Sequence, residues 1–191
     1  MIKYTSLFFF MVLFNAVNAQ CDKSLAKVYR FAGKDVYYNS DPVKKYTVVY
    51  ELNTTLPAPT FQQVFNVGYA VNFVLEQAKL ANKTDGKPYD AIITVEGSDK
   101  DVAIKFEQQT DSTQSSLTHV RRSGDKFVFV LCEPVCPYDV AFEIKAKPRF
   151  PVSIVNTVMK KVNRKKLFGK RPAFDAVIIG NDKIHYAIKF K

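Results

Sequence analysis

The chain has 191 residues, 47% of them hydrophobic, with 28 Lys and Arg against 18 Asp and Glu for a formal charge of +10. That length suffices for one ordinary core or two small ones. With two histidines and three cysteines, the chain offers no dense metal-ligand set and no evident nucleophile–base constellation.

The N-terminus reads as an export signal over residues 1–19. Lys3 precedes the apolar run Leu7-Phe8-Phe9-Phe10-Met11-Val12-Leu13-Phe14, and Val17 and Ala19 supply small residues before a cut. The run is far shorter than the roughly 20 apolar residues that span a bilayer, so no transmembrane segment is expected. Cys21 invites a lipoprotein reading, but Asn18 and Gln20 stand where lipid attachment needs a Leu-like and a small residue. Soluble export, periplasmic or secreted, is the expectation.

Sliding the sequence against itself by 92 positions aligns residues 24–52 with 116–144 without a gap, and 11 of the 29 pairs are identical. The match resumes where Asp90-Ala91-Ile92-Ile93 corresponds to Asp175-Ala176-Val177-Ile178, and Ala103-Ile104-Lys105-Phe106 to Ala187-Ile188-Lys189-Phe190. Two matched blocks in one order imply duplication. The expected organisation is a first α+β repeat over 20–107, a polar linker over 108–115 and a second, basic repeat over 116–191.

In chain order, residues 25–30 predict a short leading strand. Residues 36–38 and 46–50 are β-branched and aromatic runs separated by Asn39-Ser40-Asp41-Pro42, which predicts strand, turn, strand. A helix follows, with Thr60 and Gln63 at capping-box spacing and Val64, Val67, Gly68, Val71, Val74, Leu75 and Ala78 on one apolar stripe. Residues 91–95 and 102–106 then flank Gly97-Ser98-Asp99-Lys100 as a hairpin.

The second repeat gives the same succession. A leading strand at 117–122 precedes strands at 127–131 and 138–144. A helix follows with Pro151 in its first turn and Val155, Val158, Met159 and Val162 on its stripe. A hairpin over 176–190 turns at Gly180-Asn181-Asp182-Lys183. Each repeat is therefore an antiparallel-rich sheet with one helix on a face. The other face needs a cover, which the two sheets supply by joining edge to edge or by packing face to face.

Cys132 and Cys136 flank Glu133-Pro134-Val135 at what reads as a hairpin tip, and are expected to form a disulfide across the turn. A metal site would need a second pair of ligands, so none is expected. His119 and His185 lack an acidic orienter and read as surface or half-buried structural residues. Ser153 lacks a nucleophile-elbow context. Asp90 and Asp175 occupy matched places before a strand. They either bond nearby backbone or, if they converge, form an acid pair.

Charge separates the repeats. Residues 20–125 hold 13 cations and 13 anions, while residues 126–191 hold 14 and 5. The densest part is Lys160, Lys161, Arg164, Lys165, Lys166, Lys170 and Arg171, at the end of the second helix. Such a cluster complements a helix C-terminus or attracts an anionic surface.

Pro134-Val135-Cys136-Pro137-Tyr138 and Phe174-Asp175-Ala176-Val177-Ile178 resemble motifs of the YbjQ-like small bacterial domains labelled heavy-metal-binding. The first repeat keeps Pro42, Tyr46 and Asp90-Ala91-Ile92 but has Lys45 in place of the second proline. Neither repeat has a cysteine or histidine cluster, so the resemblance implies no ligand and no cofactor here. The functional expectation is an exported, non-enzymatic binding or accessory protein. It would engage an anionic envelope surface or acidic polymer, but not nucleic acid, through the basic cluster. The alternative is an exported hydrolase using Asp90 and Asp175. Asn53-Thr54-Thr55 and Asn82-Lys83-Thr84 are glycosylation sequons in a eukaryotic host.

Overall fold

The computed structural model describes residues 21–53, 67–96, 100–107, 116–146, 153–164, 172–180 and 184–191. The expected export signal over 1–19, the expected capping box at Thr60 and Gln63, Val64, the expected linker over 108–115, Pro151, the tips of the two late hairpins, and Lys165, Lys166, Lys170 and Arg171 lie outside them.

The first part of the chain runs β1 (Leu25–Val28), β2 (Arg30–Phe31), β3 (Lys34–Tyr38), β4 (Ser40–Pro42), β5 (Tyr46–Asn53), α1 (Val67–Asp85), β6 (Ala91–Thr94) and β7 (Lys100–Phe106). The second runs β8 (Leu117–Val120), β9 (Arg122–Ser123), β10 (Lys126–Val130), β11 (Cys132–Pro134), β12 (Tyr138–Lys145), α2 (Ile154–Asn163), β13 (Ala176–Ile179) and β14 (Ile184–Phe190). The fold is mixed α+β and dominated by sheet.

One five-stranded sheet has the order β2-β3-β6-β7-β5, the other β9-β10-β13-β14-β12 read in the same direction. In each, one parallel pair, β3 with β6 or β10 with β13, sits among antiparallel neighbours. The parallel strands β6 and β13 are buried at every position, as a strand covered on both faces must be. β3 and β5 are not partners in a hairpin. β5 lies at the far edge beside β7, because the helix crossover returns the chain to β3.

A third sheet, ordered β11-β1-β8-β4, draws strands from both parts of the chain. Edge-to-edge joining, one of the two expected arrangements, is not found among the described strands: no strand of one large sheet pairs with the other, and this small sheet, packed on both, connects them instead. At its centre β1 runs antiparallel to β8, with Leu25 opposite His119, Ala26 opposite Thr118 and Lys27 opposite Leu117. Ala26 and Thr118 are 92 positions apart, and each flanking pair exchanges ends under the same shift. The outer strands obey it too, since Ala26 faces Pro134 and Pro42 faces Thr118. Backbone bonds come in matching sets. Val28 N–H donates to the Ser116 carbonyl and Val120 N–H to that of Ser24, at 3.0 and 2.9 Å.

Entry into this sheet needs a corner. Residues 40–42, expected as a turn, form β4 because β8 supplies a long-range partner. Asn39, at φ 52°, lets the chain leave β3, and Leu131, at φ 51°, does the same after β10. Asn tolerates this left-handed region, whereas a Leu there is strained. Leu131 is held by its burial at 1% exposure and by its N–H bond to the Ile179 carbonyl at 3.0 Å.

The apolar stripe of α1 buries Val67, Gly68, Val71, Val74, Leu75 and Ala78, and that of α2 buries Ile154, Val158, Met159 and Val162. These residues join Val36, Ile92, Val128, Val177 and others in one core on the helix side of the large sheets. Val155, expected on the α2 stripe, is only partly buried against it. On the opposite faces Val28 packs with Tyr37, Ile104 and Phe106, and Ala26 and Val120 pack with Phe129, Ile188 and Phe190. Tyr37–Phe106 and Phe129–Phe190 meet edge to face at 6.3 and 6.2 Å, a favourable quadrupole geometry.

Candidate functional site

α2 is capped by Ser153, whose hydroxyl accepts the Asn156 N–H at 3.2 Å and donates to Glu96 at 2.7 Å. Glu96 also accepts the Ile154 N–H at 2.6 Å. A carboxylate from the first part of the chain thus caps a helix in the second, where it complements the positive helix end. The Ser153 hydroxyl is committed to capping. Sequence reading missed Glu96 because its partner lies 57 residues away.

At the other end of α2, Lys160 and Lys161 stand in the last turn, and the Arg164 N–H bonds the Lys160 carbonyl at 3.2 Å. Lys160 and Arg164 are exposed. Lys161 is half-buried and donates to the Lys145 carbonyl at the end of β12, which ties the helix to the sheet edge. Of the seven predicted cations, these three are described, and they extend from α2 toward the remaining four in sequence. Their positive charge complements the negative end of the helix dipole. Among the described residues, the ion pairs with Asp or Glu use Arg30, Lys79, Arg121, Lys126 and Lys191.

Asp90 and Asp175 do the same thing in the two large sheets. An Asp90 Oδ accepts the Phe106 N–H at 2.9 Å, and an Asp175 Oδ accepts the Phe190 N–H at 3.0 Å. Their own N–H groups donate to Ile104 and Ile188 carbonyls, both at 2.8 Å. Each carboxylate clamps the last strand to the start of β6 or β13, which is the backbone-bonding option.

The expected Cys132–Cys136 disulfide is corrected. Cys136 is bonded to Cys21, with Cα atoms 5.6 Å apart, while Cys132 is a free and buried thiol. Residues 132–134 are not a hairpin tip but β11, extended against β1. A strand rises about 3.3 Å per residue, which carries Cys132 away from Cys136. Antiparallel pairing brings the chain before β1 beside the chain after β11, and the Val135 N–H donates to the Leu25 carbonyl at 3.1 Å. Cys21 and Cys136 are neighbours for that reason. Burial pushes the Cys132 thiol up to about 12.

Near this bridge Tyr138 and Tyr29 both donate to Glu133, the latter at 3.3 Å. Burial and the adjacent carboxylate raise both phenols above their ordinary value. The corresponding position across the central sheet holds the ion pair of Arg121 and Asp41 at 3.3 Å. A buried carboxylate, Asp35, accepts from Arg30 Nε at 2.9 Å and from the Ser116 hydroxyl. Its counterpart by sequence is Phe127, so this polar contact belongs to one side only.

His119 is exposed on β8, with its Nδ1 3.2 Å from the Ser24 hydroxyl. His185, expected at or near the surface, is instead 1% exposed in β14 opposite Ile144. Among the described residues, no group of three or more His, Cys, Asp or Glu could hold a metal ion. Nor is any described helix long and apolar enough to cross a membrane. No protein-family model, curated protein or solved structure matches the chain.

Proposed function

We propose that this is an exported, non-enzymatic binding or accessory protein, built from two copies of one α+β module, that meets an anionic partner through the basic end of its second copy. The observation that carries this reading is the one-sided charge. Strand order is common to the two large sheets, yet residues 20–125 are neutral and residues 126–191 carry nine excess cations. The architecture therefore does not require them. Helix-end complementarity accounts for a cation or two in the last turn. Seven within residues 160–171 exceed that need and focus a field attractive to phosphate or carboxylate surfaces.

The duplication is supported by the reciprocal registers about Ala26 and Thr118 and by β-bulges at Val48/Tyr50 and Val140/Phe142, again 92 positions apart. Export is supported by the signal-like residues 1–19 and by a disulfide, which persists in oxidising compartments. The backbone bonds of Asp90 and Asp175 give the hydrolase alternative no favouring observation.

The test replaces Lys160, Arg164 and Lys165 together with Gln and leaves Lys161, which serves β12, in place. Each cation near an anionic surface contributes about 1 kcal/mol. Binding to anionic vesicles or heparin at low salt should fall on the order of 100-fold, while the thermal midpoint hardly moves. The parent's binding should also weaken steeply as salt rises, because the Debye length shrinks to about 8 Å at physiological ionic strength. A triple variant that binds as tightly as the parent would sink the proposal.

A further inference from the structure

We infer that Asn82 is an N-glycosylation site, accepting an oligosaccharide on the last turn of α1. The inference rests on the export reading, because only a chain entering a secretory compartment meets the transfer machinery. Asn82-Lys83-Thr84 is a complete acceptor sequon with no proline, and all three residues belong to the described helix.

Geometry leaves room for a glycan. Ala78 is the last fully buried residue of α1, and in the turn that follows only Ala81 packs against the core, from one side of the helix. Leu80 is 57% exposed there, which marks that end as lying in water. Lys83, Thr84, Asp85, Gly86 and Lys87 are exposed, and Asn82 is half-exposed. The helix then stops at Gly86, whose φ of 70° permits its N–H to bond the Asn82 carbonyl at 2.7 Å. That closure uses only the backbone of Asn82. Among the described residues, nothing hydrogen-bonds its side-chain amide, so a sugar there displaces no hydrogen bond. A glycan is bulky and solubilising, and fits a surface of this kind.

The co-reactant is a lipid-pyrophosphate-linked oligosaccharide. Asn82 Nδ2 forms a bond to C1 of the first sugar and the bond from C1 to the pyrophosphate oxygen breaks. The lipid pyrophosphate leaves, and Nδ2 loses one proton to base. The other sequon, at Asn53, ends outside the described residues and serves as a control.

The experiment expresses the full chain in cultured eukaryotic secretory cells, once with its own first 19 residues and once with an established secretory leader replacing them. Peptide mapping after amidase release of glycans reads conversion of Asn82 to Asp. With the established leader, we expect Asn82 to be occupied. The Asn82→Gln variant should lose one glycan's worth of mass and keep its thermal midpoint within about 2 °C. Secreted protein with Asn82 unmodified, or carrying sugar at Asn53 alone, overturns the inference. Failure of the native leader alone counts against the export reading and leaves the result at Asn82 to stand on the other arm.

Discussion

Reducing the Cys21–Cys136 bond should destabilise the protein by about 2–5 kcal/mol, the range for native disulfides. The bridge spans 115 residues of sequence, and a loop of roughly 100 residues corresponds to about 4.7 kcal/mol of lost denatured-state entropy. Residual structure in the reduced, unfolded chain lowers that ceiling. In a chain of this size about 1 kcal/mol moves the thermal midpoint by roughly 2–4 °C, so a fall of about 4–20 °C is expected. The cleanest comparison is the same polypeptide oxidised and reduced, followed in urea at matched pH, with the slope used to check that the unfolded states are comparable. The Cys21→Ser/Cys136→Ser double variant should reproduce the loss without reductant. Equal stability of oxidised and reduced protein, or a mapped peptide joining Cys132 to Cys136, would refute the reasoning.

Cys132 should resist thiol reagents in the native state at pH 8 and react as one thiol after unfolding, because burial raises it from an ordinary 9.0 to about 12. Since the fold favours the protonated thiol, its contribution is complete below pH 9 and is lost as pH rises toward 12. The raised phenols of Tyr29 and Tyr138 act in the same direction. A denaturation midpoint that climbs between pH 9 and 12 would contradict this. Asp90→Ala and Asp175→Ala should each cost about 1.5–3 kcal/mol, the magnitude of a hydrogen bond to a charged group. Urea titration of both variants checks the value, and a negligible loss in either would show that the clamp on the last strand is idle.

The sequence by itself determined the local elements. The stripes of α1 and α2, the β-branched runs and the late hairpins each follow from periodicity within a few turns or strands, because burial of one face imposes that period. The 92-residue self-match and the charge asymmetry were equally legible, as were the matched positions of Asp90 and Asp175. Only the tertiary structure decided where the ends of those elements went. Residues 40–42 and 132–134 look like turns in isolation and become β4 and β11 when β8 and β1 offer them backbone partners from the other part of the chain. The pairing of Cys136 with Cys21 and the capping of α2 by Glu96 have the same origin. A short polar segment carries no local preference strong enough to announce a partner 57 or 115 residues away. Hydrogen-bond satisfaction across the assembled sheets selects that partner instead.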